Sequence, residues 1–231
     1  MKRNIVLMIA VATVVAAQAP PEVGPGIGQK MKENAQALRQ YTFKRRTEIT
    51  VKGQSRGARV DQVRYVDGKM EAIPLETPSR RAESAGGRGL RGRMIQKKIE
   101  KKKEEMKEDV ERLRSLLQHY MSSDSDSMRT VLQKAAISRT GPGPDADVKV
   151  VATGLVKPSD SFTLIWSVAN HRPARIEIHA DLDGKPVQIA VDYASLPAGP
   201  FYAAHTLVSA PKKDLTVNVD TFDYAHSSEA R

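Results

Sequence analysis

Few side chains in this chain have the means to do chemistry. Cysteine is absent, and the five histidines are His119, His171, His179, His205 and His226. Covalent catalysis needs a nucleophile within reach of a base. There is no thiol, and no Gly-x-Ser-x-Gly elbow occurs. No histidine stands in the His-Glu-x-x-His spacing that holds zinc. Glu177, His179 and Asp181 fall at alternate positions, so on a strand they share one face. Three such groups could meet a metal, but the same alternation describes a solvated polar face, and that is the reading taken. His119, beside Tyr120, reads as a surface or interface histidine. Glu104, Glu105, Glu108, Asp109 and Glu111 interleave with Lys and Arg at i, i+4, the pattern of a solvated helix rather than an acid–base pair. Asp124-Ser125-Asp126 begins like a calcium loop but lacks the later Gly and Glu, which leaves helix capping. Gly86-Gly87-Arg88-Gly89 lacks the Lys-Ser/Thr and the preceding strand of a phosphate loop. The expectation is a protein that is not an enzyme, with no metal and no cofactor.

Charge is the next signal. The net charge is +10, unevenly spread. Residues 44–103 hold 18 Lys/Arg against 7 Asp/Glu, whereas residues 145–231 hold 8 against 11. Single-stranded nucleic-acid sites interleave aromatics with such basic residues. None lies between Arg80 and Lys107, so no nucleic acid is expected. Arg88, Arg91, Arg93, Lys97, Lys98, Lys101 and Lys102 remain as candidates for contact with an anionic surface, or as charges that keep a helix soluble.

The start of the chain decides which polyanions matter. Lys2-Arg3 precede an apolar run of about 13 residues ending Val15-Ala16-Ala17. This is the layout of a cleavable signal peptide over residues 1–17, and the run is short of the ~20 residues a spanning helix needs. The expected location is periplasmic or secreted, with the mature protein a monomer.

The elements that must position these residues follow from periodicity. Residues 18–28, rich in Pro and Gly, read as a flexible lead-in. Ile27, Met31, Ala35 and Leu38 form one stripe of a helix. From Tyr41 the period becomes two: Tyr41, Phe43, Thr47, Ile49 and Val51 take one face, and Arg45 is the one exception on it. A loop at 53–57, a strand at 58–66, an Asp67-Gly68 hairpin turn and a strand at 69–75 follow. Residues 79–92, rich in Arg, Gly and Ser, cannot build a core element. Residues 93–121 contain no Gly or Pro, and Ile95, Ile99, Met106, Val110, Leu113, Leu117 and Tyr120 recur at helical spacing. That predicts a helix of about 43 Å at 1.5 Å per residue, basic in its first half and amphipathic in its second. A short helix at 128–135 precedes Gly141-Pro142-Gly143-Pro144. Six alternating stretches between 148 and 219, with short joints, then predict an antiparallel meander. The fold class is α+β: a strongly curved antiparallel sheet of about nine strands, covered by helices, with one long basic helix. Residues 29–226 form a single domain with a helical insertion at 90–138, and 227–231 are a tail.

This order, with Tyr41-Thr42-Phe43-Lys44-Arg45-Arg46, the paired strands of 164–182, Asp183-Gly184-Lys185-Pro186-Val187, Asp192-Tyr193, Leu196-Pro197 and Phe201-Tyr202, resembles the LolA/LolB-like lipoprotein-carrier superfamily. The resemblance implies an unclosed β-barrel with helices in its mouth. It also implies a role in carrying lipoprotein acyl chains, binding other lipids, or sensing envelope lipoprotein or lipopolysaccharide signals. On this reading the partner is a lipid or a lipoprotein acyl chain in an apolar cavity. Phe43, Met106, Val110, Leu113, Leu117, Phe162, Leu164, Trp166, Ile176 and Ile178 are the candidate lining, and the same residues would also serve a fully packed core. The alternative is an envelope interaction module whose basic helix meets anionic lipid, lipopolysaccharide or acidic protein.

Overall fold

The computed structural model describes residues 23–76, 108, 111–112, 133, 135–143, 145–154, 157–182, 184–197 and 199–227. The order of elements is α1 (Val23–Leu38), β1 (Tyr41–Val51), β2 (Gln54–Val66), β3 (Lys69–Glu76), β4 (Ala136–Arg139), β5 (Val148–Thr153), β6 (Ser161–Ser167), β7 (Arg172–Leu182), β8 (Lys185–Ser195), β9 (Phe201–Ala210) and β10 (Leu215–His226). The ten strands form one antiparallel sheet in the order β3-β2-β1-β10-β9-β8-β7-β6-β5-β4. All neighbours are consecutive in sequence except β1 and β10, which pair from Tyr41↔His226 to Val51↔Leu215. That one long-range pairing brings the strands around, and β3 and β4 remain as the two edges of an unclosed, curved sheet.

Curvature has local causes. Register shifts interrupt the pairing at Thr42/Lys44, Ile49/Thr50, Val60/Asp61, Ile165/Trp166 and Asp192/Tyr193, and each such bulge bends its strand and adds twist. Pro173 sits inside β7 because it lies opposite the Ile165/Trp166 shift, where the ladder is already interrupted. The turns are tight. Asp67 and Gly68 have φ of 50° and 74°, the two positive values a two-residue hairpin turn needs.

The alternation along β5–β9 buries Val148, Val150, Phe162, Leu164, Trp166, Ile176, Ile178, Val187, Ile189, Val191 and Val208 on one face. Burial of each large aliphatic chain stabilises by about 1.5–3 kcal/mol. Ile27 of α1 is buried in the same cluster, with Met31 packed against it. Asn34 fixes the helix to the sheet: its Nδ2 donates to the Phe201 carbonyl at 2.8 Å and the Phe201 N–H donates to its Oδ1 at 2.7 Å. The side-chain amide thus substitutes for a strand partner where β9 begins.

Several expectations change. Among the described residues the sheet has ten strands, not about nine; the tenth is β4, Ala136–Arg139, which begins within the stretch read as helical insertion and pairs with Val148–Val151. The helix α1 starts at Val23, within the stretch read as a flexible lead-in. The expected loop at 53–57 is a two-residue turn at Lys52 and Gly53, with φ of 53° and 71°, and β2 begins at Gln54. The expected signal peptide lies outside the described residues. So does the helical cover, apart from Glu108, Glu111, Arg112 and Gln133, which are helical. Among the described residues the fold is mostly β with the single helix α1, and the cover by several helices is not part of it.

Candidate functional site

The inner face of the sheet changes character across its width. Over β5–β9 it is apolar and buried. Across β10 and β1 it continues through Leu215, Val217, Ile49 and Val51, and toward β2 it becomes mixed. Phe43 lies opposite Val63, both buried. One step along, Arg45 lies opposite Asp61. The period of two puts Phe43 and Arg45 on one face, and Val63, Asp61 and Arg59 on that same face of the neighbouring strand.

Asp61 is 2% exposed and is held by two guanidiniums. Arg45 Nη2 donates to its Oδ2 at 3.1 Å, and Arg59 Nε donates to its Oδ1. A carboxylate this deep needs such partners, since desolvation otherwise penalises its charge. The Arg45 side chain is 27% exposed and that of Arg59 49%. Arg45 Nε is buried with no hydrogen-bond partner among the described residues. The cluster therefore carries one positive charge in excess, reaching from the apolar wall to solvent.

Aromatic side chains gather at the end of β1 and β10. Phe43 stacks on Tyr224 at 4.8 Å, and Tyr224 meets Tyr202 at 4.3 Å. Burial pushes the Tyr224 hydroxyl up to about 12, although its bond to Thr221 Oγ1 at 3.0 Å acts the other way. Burial also raises Tyr65, against the opposing charge of Arg39. Deeper still, Tyr193 is driven far above its ordinary value by burial, and its ring meets Phe201 edge-on at 6.1 Å.

On the outer face the charges form a ladder. Directly opposed residues run Arg175–Asp192–His205–Asp220–Arg46 from β7 to β1. Arg175 Nη1 is 2.6 Å from Asp192 Oδ1, and His205 Nδ1 is 2.7 Å from Asp220 Oδ1. Hydrogen bonds to Glu177 and Asp192 raise Arg175 above its ordinary value. Cross-strand polar pairs of this kind specify register more than they add stability. Beside the ladder lies an open recess of about 200 Å³, lined by Arg175, Glu177, His179, Gln188, Ile189, Ala190, Leu207 and Ser209. Its floor is low because Ala190 stands between Glu177 and Leu207 in the ladder. The trio Glu177, His179 and Asp181 does not converge: Glu177 binds Arg175 at 2.7 Å, and Asp181 accepts from the Gly184 N–H and from Lys157. Those two bonds, the Gly184 one foremost, hold the Asp181 carboxyl below its usual range.

Of the expected lining residues, Phe162, Leu164, Trp166, Ile176 and Ile178 come together in one buried cluster. Phe43 is buried apart from it, beside Val63 and Tyr224. Met106, Val110, Leu113 and Leu117 lie outside the described residues, as do Arg88, Arg91, Arg93, Lys97, Lys98, Lys101 and Lys102. The Arg45–Asp61–Arg59 cluster was not among the expected sites. Its trace in the sequence is the one charged residue that breaks the apolar face of β1.

No family model and no curated protein matches this chain. Solved structures do. A DUF1329 family protein from Desulfovibrio piger is similar over 93% of this chain and 96% of its own, at 10% identity and a TM-score of 0.46. A domain provisionally assigned to outer membrane lipoprotein sorting, from Vibrio parahaemolyticus, is similar over 91% and 94%, at 10% identity and a TM-score of 0.42. A LolA superfamily protein from Nitrosomonas europaea is similar over 87% and 94%, at 9% identity and a TM-score of 0.31. Structural neighbours are thus of the LolA and lipoprotein-sorting kind. With identities and TM-scores this low, what the protein does has to be argued from its own residues. Among the described residues, no helix is long and apolar enough to cross a membrane.

Proposed function

We propose that this is an exported, non-enzymatic protein that holds a lipid or acylated ligand against the inner face of its open sheet. The observation that carries the reading is the inner face itself. It is one continuous apolar face, buried over β5–β9, that passes on β10, β1 and β2 into half-buried residues an acyl chain could reach, on a sheet left open between β3 and β4. The β3 edge adds apolar surface, with Met70, Ile73 and Leu75 44–50% exposed, while Pro74, Lys69 and Glu71 blunt it against strand pairing. Apolar area on an open surface is the feature that binding partners cover. Residues 1–17 supply the export signal on this reading, which puts the working protein in the periplasm or outside the cell.

The test is native mass spectrometry of protein purified from its export compartment, followed by delipidation and titration with a fluorescent fatty acid. The expected result is a co-purified or saturable acyl ligand, and an N-terminus at Gln18. A delipidated protein that neither arrives with lipid nor takes up the probe would remove the reading.

A further inference from the structure

We propose that Arg45, Asp61 and Arg59 form an oxyanion site on the inner face, which takes the terminal carboxylate or phosphate of an amphiphile whose alkyl chain lies on the neighbouring apolar wall. The proposal rests on the reading of the inner face as the ligand surface and names the ligand's head.

The cluster is built rather than incidental. Asp61 is almost wholly buried and accepts from both guanidiniums, so it orients two forks whose own rotation is otherwise free. One arginine would neutralise it; the second leaves a positive charge with no further acid bound to it among the described residues. Arg45 Nε is a buried donor without an acceptor among the described residues, and a buried guanidinium N–H left unmade is a cost that an arriving oxygen removes. Planar guanidinium groups suit two-oxygen anions, which they bind through paired N–H donors. Access comes through Arg59, half exposed at the rim. Along the same face, the partly buried Ile49, Val51 and Val217 offer the apolar surface an alkyl chain would follow, while Phe43 and Val63, one residue pair to the other side of the charges, are buried. A ligand meeting both features carries an anionic head on a hydrocarbon tail.

The experiment is calorimetric titration of the delipidated full chain with decanoate, decyl phosphate, decanol and inorganic phosphate. The two anionic amphiphiles are expected to bind at least about tenfold tighter than decanol, the difference one or two charge-assisted hydrogen bonds make. In Arg59→Gln that preference of the anionic amphiphiles over decanol should collapse toward parity. Arg59→Lys, which keeps the charge but loses the fork, should retain part of it. Near-UV circular dichroism checks that both variants are folded, and the half-exposed position of Arg59 favours this. Equal binding of decanoate and decanol by the wild-type chain overturns the oxyanion site and leaves the acyl reading standing. Inorganic phosphate bound as tightly as decyl phosphate supports the site while removing the acyl reading beneath it. No binding of any of the four overturns both.

Discussion

Replacing Asp61 by Asn tests the electrostatics of the inner face directly. Asn keeps the size and one carbonyl acceptor but drops the charge that two guanidiniums share. The Arg45 bond, 3.1 Å long and largely buried, belongs to the class of hydrogen bonds to charged groups worth about 1.5–3 kcal/mol. The Arg59 side chain is half exposed, so solvent screening holds its pair to about 0.2–1 kcal/mol. Together the substitution should cost about 2–4 kcal/mol, more than the ~1 kcal/mol of an ordinary point change. Urea unfolding followed by far-UV circular dichroism reads this as a lower midpoint with an unchanged slope. A double-mutant cycle divides the loss: coupling between Arg45→Gln and Asp61→Asn should exceed that between Arg59→Gln and Asp61→Asn. A cost below about 1 kcal/mol, or equal couplings for the two arginines, would refute the assignment of Arg45 as the structural partner and Arg59 as the accessible one.

Ile178→Ala should cost about 2–5 kcal/mol because the side chain is wholly buried mid-core, whereas Leu75→Ala on the exposed edge should stay within about 0.5 kcal/mol; thermal melts of the pair would show it. Tyr224 should ionise near 12 in the folded protein, against 10 when unfolded. Its raised value means its contribution is whole below pH 10 and fades as pH rises toward 12; loss of the step near pH 12 from a 295 nm absorbance titration in Tyr224→Phe is the readout. Asp181 titrates below its ordinary 3.8, so its contribution is present above that value and is lost as pH falls through the lowered one. A carboxyl-carbon NMR titration should show this, with Lys157→Ala moving the midpoint upward, and an ordinary midpoint in the wild type would count against the Gly184 and Lys157 contacts.

Much of the sheet was legible because alternation is a strong signal where one face is buried. The six alternating stretches between 148 and 219 were placed by period alone and are β5–β10, and Asp67-Gly68 announced its hairpin. What escaped had physical reasons. The strand β4 is four residues long, Ala-Ile-Ser-Arg, too short for a period to register, and it exists by pairing with β5. The turn at Lys52-Gly53 hid behind five loop-like residues because Gly57, at φ 132°, absorbs the irregularity inside a strand. Bulges, which bend the sheet, leave no mark in hydropathy. Arg45 was visible as a break in pattern, but its meaning depended on Asp61 and Arg59 arriving opposite it, and cross-strand register is set by the whole hairpin rather than by either strand.

The pairing of β1 with β10 has a consequence for how the chain reaches its fold. The meander β5–β10 is assembled from neighbours joined by short turns, and β1–β3 form a second local unit. Only the seam between them, where Tyr41 meets His226, spans nearly the whole described chain. Loop closure across that span must precede its reward. The seam is therefore expected to zip last during folding, and its opening, seen as joint native-state hydrogen exchange along β1 and β10, would release β1–β3 as one leaf. Any guest on the inner face would then have a door on that side, and its residence time would follow the stability of one seam rather than that of the whole sheet.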